Sequence, residues 1–175
     1  MQRPLLVISL ALAAVTLACG KDTTPPPVSK IVTFTGTLSG ANENPVVTPA
    51  GTGTFTITLD TSTKKLTWDI QVSGLTSNIT AGHIHGPWIP PSGPNVGVIL
   101  NFAGTPPIPG STFTGINPAA TTGRAQGNLT LGTALIGTSA VSGDSLAKLL
   151  LAGRAYVNVH TLKNPGGEVR AQVKP

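Results

Sequence analysis

Between Thr52 and Ser73 apolar and polar side chains alternate one by one, and that period of two commits the chain to β-structure. Phe55, Ile57 and Leu59 interleave with Thr54, Thr56 and Thr58. After the turn residues Asp60-Thr61-Ser62-Thr63, Leu66, Trp68, Ile70 and Val72 stand opposite Lys65, Thr67, Asp69 and Gln71. Successive strand side chains point to opposite faces, so this stretch reads as a hairpin with one buried and one wet face. Residues 31–36 alternate in the same way. Thr- and Val-rich segments at about 80–86, 96–103, 122–131, 154–161 and 167–174, punctuated by Gly and Pro, predict further strands. Residues 104–121 form a long irregular loop between them. The one helical stretch is Ser142 to Leu151: Ser142 or Asp144 caps it, Leu146, Leu149 and Leu150 give it a buried stripe, and Gly153 stops it. About eight short antiparallel strands with one short helix predict an all-β fold, a Greek-key β-sandwich or barrel. With 21 Gly, 16 Pro and 10% charged residues, a helical bundle is excluded, and the recurrent alternation excludes disorder.

The N-terminus reads as an export signal. Arg3 precedes an apolar run from Leu5 to Ala14, broken only by Ser9 and too short to span a bilayer comfortably, so residues 1–18 read as a cleaved signal peptide. The sequence ending Thr16-Leu17-Ala18-Cys19 resembles a bacterial lipoprotein box, although Thr16 stands where Leu or Val is usual. That resemblance implies an acylated Cys19 at the mature N-terminus and a protein anchored to a membrane of the cell envelope. The alternative is an ordinary secretory signal with a leftover thiol. Residues 19–30, with three successive prolines, then act as a spacer carrying a domain at 31–175. Cys19 is the sole cysteine, which excludes a disulfide framework or a multi-cysteine metal site. The formal charge of +5 is spread along the chain with no cluster beyond Lys64-Lys65, so nucleic acid is not an expected partner.

All three histidines fall in strand-like motifs. His83 and His85 flank Ile84 and share one face, about 6.6–7 Å apart along the strand. In Tyr156-Val157-Asn158-Val159-His160 the valines read as core, so Tyr156, Asn158 and His160 face the other way. If that strand pairs near residues 83–85, three imidazoles converge. Three neutral imidazoles suit copper first and zinc second, with a fourth position for water or a small substrate. Each ligand needs its second nitrogen held by a carbonyl or carboxylate, and Glu43 and Glu168 are the nearest acids in pattern. Equally, the histidines can hydrogen-bond neighbouring loops without any ion, or touch a ligand directly. No Gly-x-Ser-x-Gly elbow, domain thiol or phosphate-binding glycine loop is present.

The order SGANENP, AGHIHGP and LLLAGRAYVNVHTLKNPGGEVRAQV closely resembles the CHRD (chordin-type) domain, over residues 31–175. The resemblance implies an immunoglobulin-like or Greek-key β fold and an extracellular setting, with little implied chemistry. A fainter likeness joins His83-Ile84-His85-Gly86, Val159-His160 and Gly166-Gly167 to copper/zinc superoxide dismutases, and implies His83, His85 and His160 as copper ligands. The chain departs from that pattern: it has no further histidine for a bridging ligand or zinc site, and no disulfide. Glu168 also stands where a substrate-steering Arg follows the glycines, with Arg170 two residues later; a negative group there repels superoxide. The expected function is therefore a membrane-anchored binding module for an envelope or extracellular ligand, with a three-histidine metal site. The residues expected to hold the metal-binding rings in place or to contact a ligand are Glu43, Asn158, Glu168 and Arg170. The alternatives are a copper-dependent dismutase-like oxidoreductase and a purely structural, adhesive domain.

Overall fold

A computed structural model describes residues 30–89, 93–103, 112–114, 120–133, 135–136 and 141–175. The expected signal peptide, Cys19 and all of the expected spacer but Lys30 lie outside these residues, as does most of the 104–121 loop. The strands are β1 (Ile31–Ser39), β2 (Thr52–Asp60), β3 (Lys65–Ser73), β4 (Ile79–His85), β5 (Val98–Ala103), β6 (Thr112–Thr114), β7 (Gly123–Thr130), β8 (Leu135–Ile136), β9 (Val141–Ser142), β10 (Ala155–Thr161) and β11 (Val169–Val173). A 3-10 turn, Gly40–Asn42, follows β1, and one helix, α1 (Gly143–Leu151), precedes β10. Eight of the described strands have five residues or more, and the all-β expectation holds.

Nine strands form one sheet in the order β5-β4-β10-β11-β1-β2-β3-β7-β6, while β8 and β9 pair separately. All ladders are antiparallel. After the β1–β2–β3 meander the chain crosses to the far side of the sheet for β4 and β5, then returns to β3 as β7. This is the long-range crossover of Greek-key folds. The sheet curls until β5 approaches β7, so a nearly closed barrel forms.

Alternation explains the interior. Phe34, Leu38, Phe55, Ile57, Leu59, Leu66, Trp68 and Ile70 point inward into one continuous core. The β2–β3 register is held by its turn, where Asp60 Oδ1 accepts from the N–H groups of Ser62 (2.9 Å) and Thr63 (3.2 Å). Helix α1 adds Leu146 and Leu150 to the core, with Leu149 half-buried beside them. Its start is capped by Ser142 Oγ, which accepts from Ser145 N at 3.2 Å. Gly153, at φ +63°, takes the left-handed conformation that ends the helix.

The strands β4, β10 and β11 depart from the usual rule of one buried and one wet face. Their inward residues Ile84, Val157, Val159, Val169, Ala171 and Val173 belong to the core. Their outward residues are polar or aromatic, yet His85, Tyr156, Asn158 and Arg170 are buried as well. Three connections lie over them: the segment after β1, the segment between β4 and β5, and the β10–β11 turn. Hydrogen bonds from Asn158 to Glu43, from Val96 to Tyr156 and between His160 and Pro165 pin these connections down. The result is a second, polar layer outside the barrel, and the candidate site lies in it.

Candidate metal centre

Strand β10 pairs with β4 so that Tyr156 faces His85, Asn158 faces His83 and His160 faces Ala81. This register places His160 diagonally beside His83 on the outer face, and the three imidazoles converge. His83 Nδ1 lies 3.0 Å from His160 Nε2. One nitrogen from each of the three rings lies within 4.8 Å of the others. Two nitrogens bound to one ion at about 2.0–2.1 Å sit roughly 3–4 Å apart, so the His83–His160 pair is already at ligand spacing.

The register is irregular beside every one of these rings. It shifts between Gly82 and His83 and again between Ile84 and His85 where β4 meets β5, and between His160 and Thr161 where β10 meets β4. Bulges of this kind re-aim side chains, and they cluster beside functional sites.

Backbone carbonyls set the ring tautomers. His85 Nδ1 donates to Val96 O at 2.8 Å, and His160 Nδ1 donates to Pro165 O at 2.9 Å. Each of these rings therefore keeps a bare Nε2 lone pair, and that of His160 faces His83. His160 Nε2 is met by the Nδ1–H of His83. His85 Nε2 is buried and has no hydrogen-bond partner. A buried acceptor left unpaired costs about 1–3 kcal/mol, and a cation is the partner that an imidazole lone pair in this setting fits. For both His83 Nδ1 and His160 Nε2 to face an ion, the proton between them has to move to His83 Nε2.

The electrostatics favour neutral rings. Burial pushes His83 down to about 3, helped by its neighbours His160 and His85. Burial also brings His85 to about 4, with His160 and Arg170 lowering it further against its carbonyl bonds. His160 is lowered by burial too. At neutral pH the cluster thus offers three uncharged nitrogen donors and no carboxylate, a set that fits copper or zinc.

Tyr156 supports the cluster, although no local chemistry singled it out. Its ring stacks on His85 with 4.8 Å between centroids and 9° between planes. The Arg170 guanidinium lies 3.4 Å from the same ring's centroid and 5.2 Å from that of Trp88. Since β4 and β11 flank β10, His85 and Arg170 reach Tyr156 from opposite sides. The outward alternation of Tyr156 with Asn158 and His160 was the available signal.

The other candidates take different places. Glu43 accepts from Asn158 Nδ2 through both oxygens, at 2.9 and 3.0 Å. Burial raises it to about 7, against the charge of Arg170 and the bonds from Asn158 and Asn44. Glu168 is fully buried. It accepts from Gly51 N (3.1 Å), Thr76 N (2.7 Å), Thr76 Oγ1 (2.7 Å), Thr161 Oγ1 (2.7 Å) and Asn164 Nδ2 (3.0 Å). Burial alone would raise its pKa; the bonds from Thr161, Thr76 and Gly51 outweigh it and hold the carboxyl at about 2. The second nitrogens of His85 and His160 are thus held by carbonyls rather than by either acid, and Glu168 is a structural knot joining three connections. Arg170 donates to Asn95 Oδ1 at 2.8 Å. With Glu168 at 0% and Arg170 at 4% exposure, neither is a surface charge placed to steer an anion from solvent.

The profile of the CHRD domain matches residues 34–173, nearly the whole folded body. The chain belongs to the CHRD domain family. No curated protein and no solved structure matches it. In this CHRD domain the AGHIHG motif is β4 with the turn that follows, and YVNVHT is β10. The resemblance motifs NENP and NPGGE supply the connections that carry Glu43 and Glu168 over the outer layer.

Proposed function

We propose that this CHRD domain is an exported, envelope-anchored binding module whose His83, His85 and His160 hold a single transition-metal ion, copper in preference to zinc. The observation that carries the reading is the buried Nε2 of His85, fixed as a lone pair by Val96 O and left without a partner beside two further imidazole nitrogens. Copper ranks first because Cu(II) exceeds Zn(II) in affinity for the same nitrogen set. When bound, the ion supplies a Lewis-acidic or redox-active centre. The protein's part is to orient the rings through carbonyls, exclude charge from the donors and keep them neutral. Export and anchoring rest on the reading of residues 1–19.

The test is metal analysis of untagged protein, then titration with Cu(II) and Zn(II). One equivalent should bind, and His83→Ala, His85→Ala and His160→Ala should each weaken it sharply. If all three variants keep the parental affinity, the shared centre is wrong. Mass spectrometry of the mature chain checks acylation at Cys19. Superoxide turnover by the copper-loaded protein separates an oxidoreductase from a binding module.

A further inference from the structure

The outer layer contains a second feature that the histidine cluster does not use. A cavity of about 860 Å³ opens beside β11, lined by Asn42, Asn44, Trp88, Arg170, Gln172 and Lys174 among others. Its size falls within the range of small-molecule sites. We propose that this cavity binds a hydroxylated carboxylate, the chemistry of an acidic sugar.

Two groups in the wall ask for different partners. Arg170 is 4% exposed, yet among the described residues it joins no ion pair; those present are Lys64–Asp144 and Arg124–Asp69. Its direct contacts are the Asn95 side-chain oxygen and the rings of Tyr156 and Trp88, while the Glu43 carboxyl acts on it only from beyond ion-pair distance. A buried guanidinium with no carboxylate on its fork is costly, and that planar fork matches a carboxylate. Glu43 also lines the cavity and interacts with Arg170 electrostatically, but its oxygens are turned to the Asn158 amide and its carboxyl is raised to about 7 by burial, so it balances the guanidinium only in part.

The second group is Gln172. Its Nε2 donates to Gly153 O at 2.8 Å and Ala155 O at 2.6 Å, which fixes the amide orientation. The Oε1 is consequently a buried acceptor with no donor. An inorganic anion would answer Arg170 but leave Gln172 Oε1 unpaired, and would fill little of the space. An uncharged sugar would answer Gln172 but leave the fork of Arg170 without a carboxylate. A carboxylate bearing hydroxyls answers both, and Lys174 at the exposed rim adds a second cation.

The mature protein would be titrated at low salt with glucuronate, an oligomeric uronate, glucose and sulfate, by calorimetry and by the fluorescence of Trp88. Saturable binding of glucuronate is expected, with sulfate at least tenfold weaker and glucose without effect. Binding of the oligomer but not the monomer would assign the site to a polymer, and equal binding of both to a free acid. Arg170→Gln should abolish binding. Because that substitution empties a packed position, Lys174→Gln serves as the conservative variant and should weaken glucuronate severalfold without changing the fold. Lys65→Gln, which removes an exposed cation that does not line the cavity, should leave glucuronate affinity unaltered. Failure of both uronates to bind, sulfate binding as tightly as glucuronate, or full affinity in Lys174→Gln would each overturn the proposal.

Discussion

Tyr156 is joined to His85 twice. Its ring stacks on the imidazole, and its hydroxyl accepts from the N–H of Val96 at 3.2 Å, the residue whose carbonyl fixes His85 Nδ1. The phenol thus positions both the plane and the tautomer of the ring.

Replacing Tyr156 by Phe keeps the stack and removes the hydroxyl. Metal affinity should then fall roughly tenfold, the low end for a group that orients a ligand, with about 1 kcal/mol of stability lost. Tyr156→Leu removes the stack as well and should cost about 3 kcal/mol or more. Calorimetric titration with Zn(II) together with urea unfolding distinguishes the two effects.

Because His83 and His85 sit near 3 and 4, protons compete with a metal only in strongly acidic solution. Affinity should change little between pH 7 and about 5 and fall below that. A site of solvated histidines would already lose affinity through about 6.5. Titrations at stepped pH read the difference directly.

Glu168 governs acid stability. Its carboxyl lies near 2 when folded against an ordinary value of 4.5, so the unfolded chain binds the proton more readily. The stabilisation is complete above about 4.5 and is lost as the pH falls toward 2, a swing of about 3 kcal/mol. Glu168→Gln should remove that slope. It should also lower stability at pH 7 by about 3 kcal/mol, since an amide NH2 would face hydrogen-bond donors. Denaturant unfolding at pH 7, 4 and 3 checks both statements.

Gly167 is a sensitive position for the outer layer. Its φ of +129° disfavours any side chain, and a Cβ there would come within 2.7 Å of Glu43 Oε1. Gly167→Ala should cost roughly 1–3 kcal/mol and displace the Asn158–Glu43 pair. Thermal unfolding measures the first effect and the chemical shifts of the Asn158 side-chain amide the second. The neighbouring Gly166→Ala meets open space and should be near neutral.

The strands and the facing of the histidines were legible because alternation is local: Val157 and Val159 marked the inside, and Asn158 and His160 followed by parity. The α1 boundaries were legible from Ser142 and Gly153 for the same reason. The convergence of His160 on His83 depended on which strands pair, which period-two patterning leaves open. The carbonyl of Val96, the Arg170–Tyr156 stack and the five donors around Glu168 come from segments far apart in the chain. No local pattern announces them. Glu168 was a candidate as one of the two acids nearest the histidines in pattern, whereas in the fold Thr76, Thr161 and Asn164 close over it.

The register shifts beside His83, His85 and His160 have an evolutionary consequence. At each such point one strand carries a spare residue: Phe102 and Ile99 on β5 and Thr80 on β4, of which the first two are core side chains and the third is exposed. Length changes that re-aim His160 should therefore be tolerated at the Thr80 point among related domains, whereas those beside His83 and His85 have to carry the barrel's interior with them.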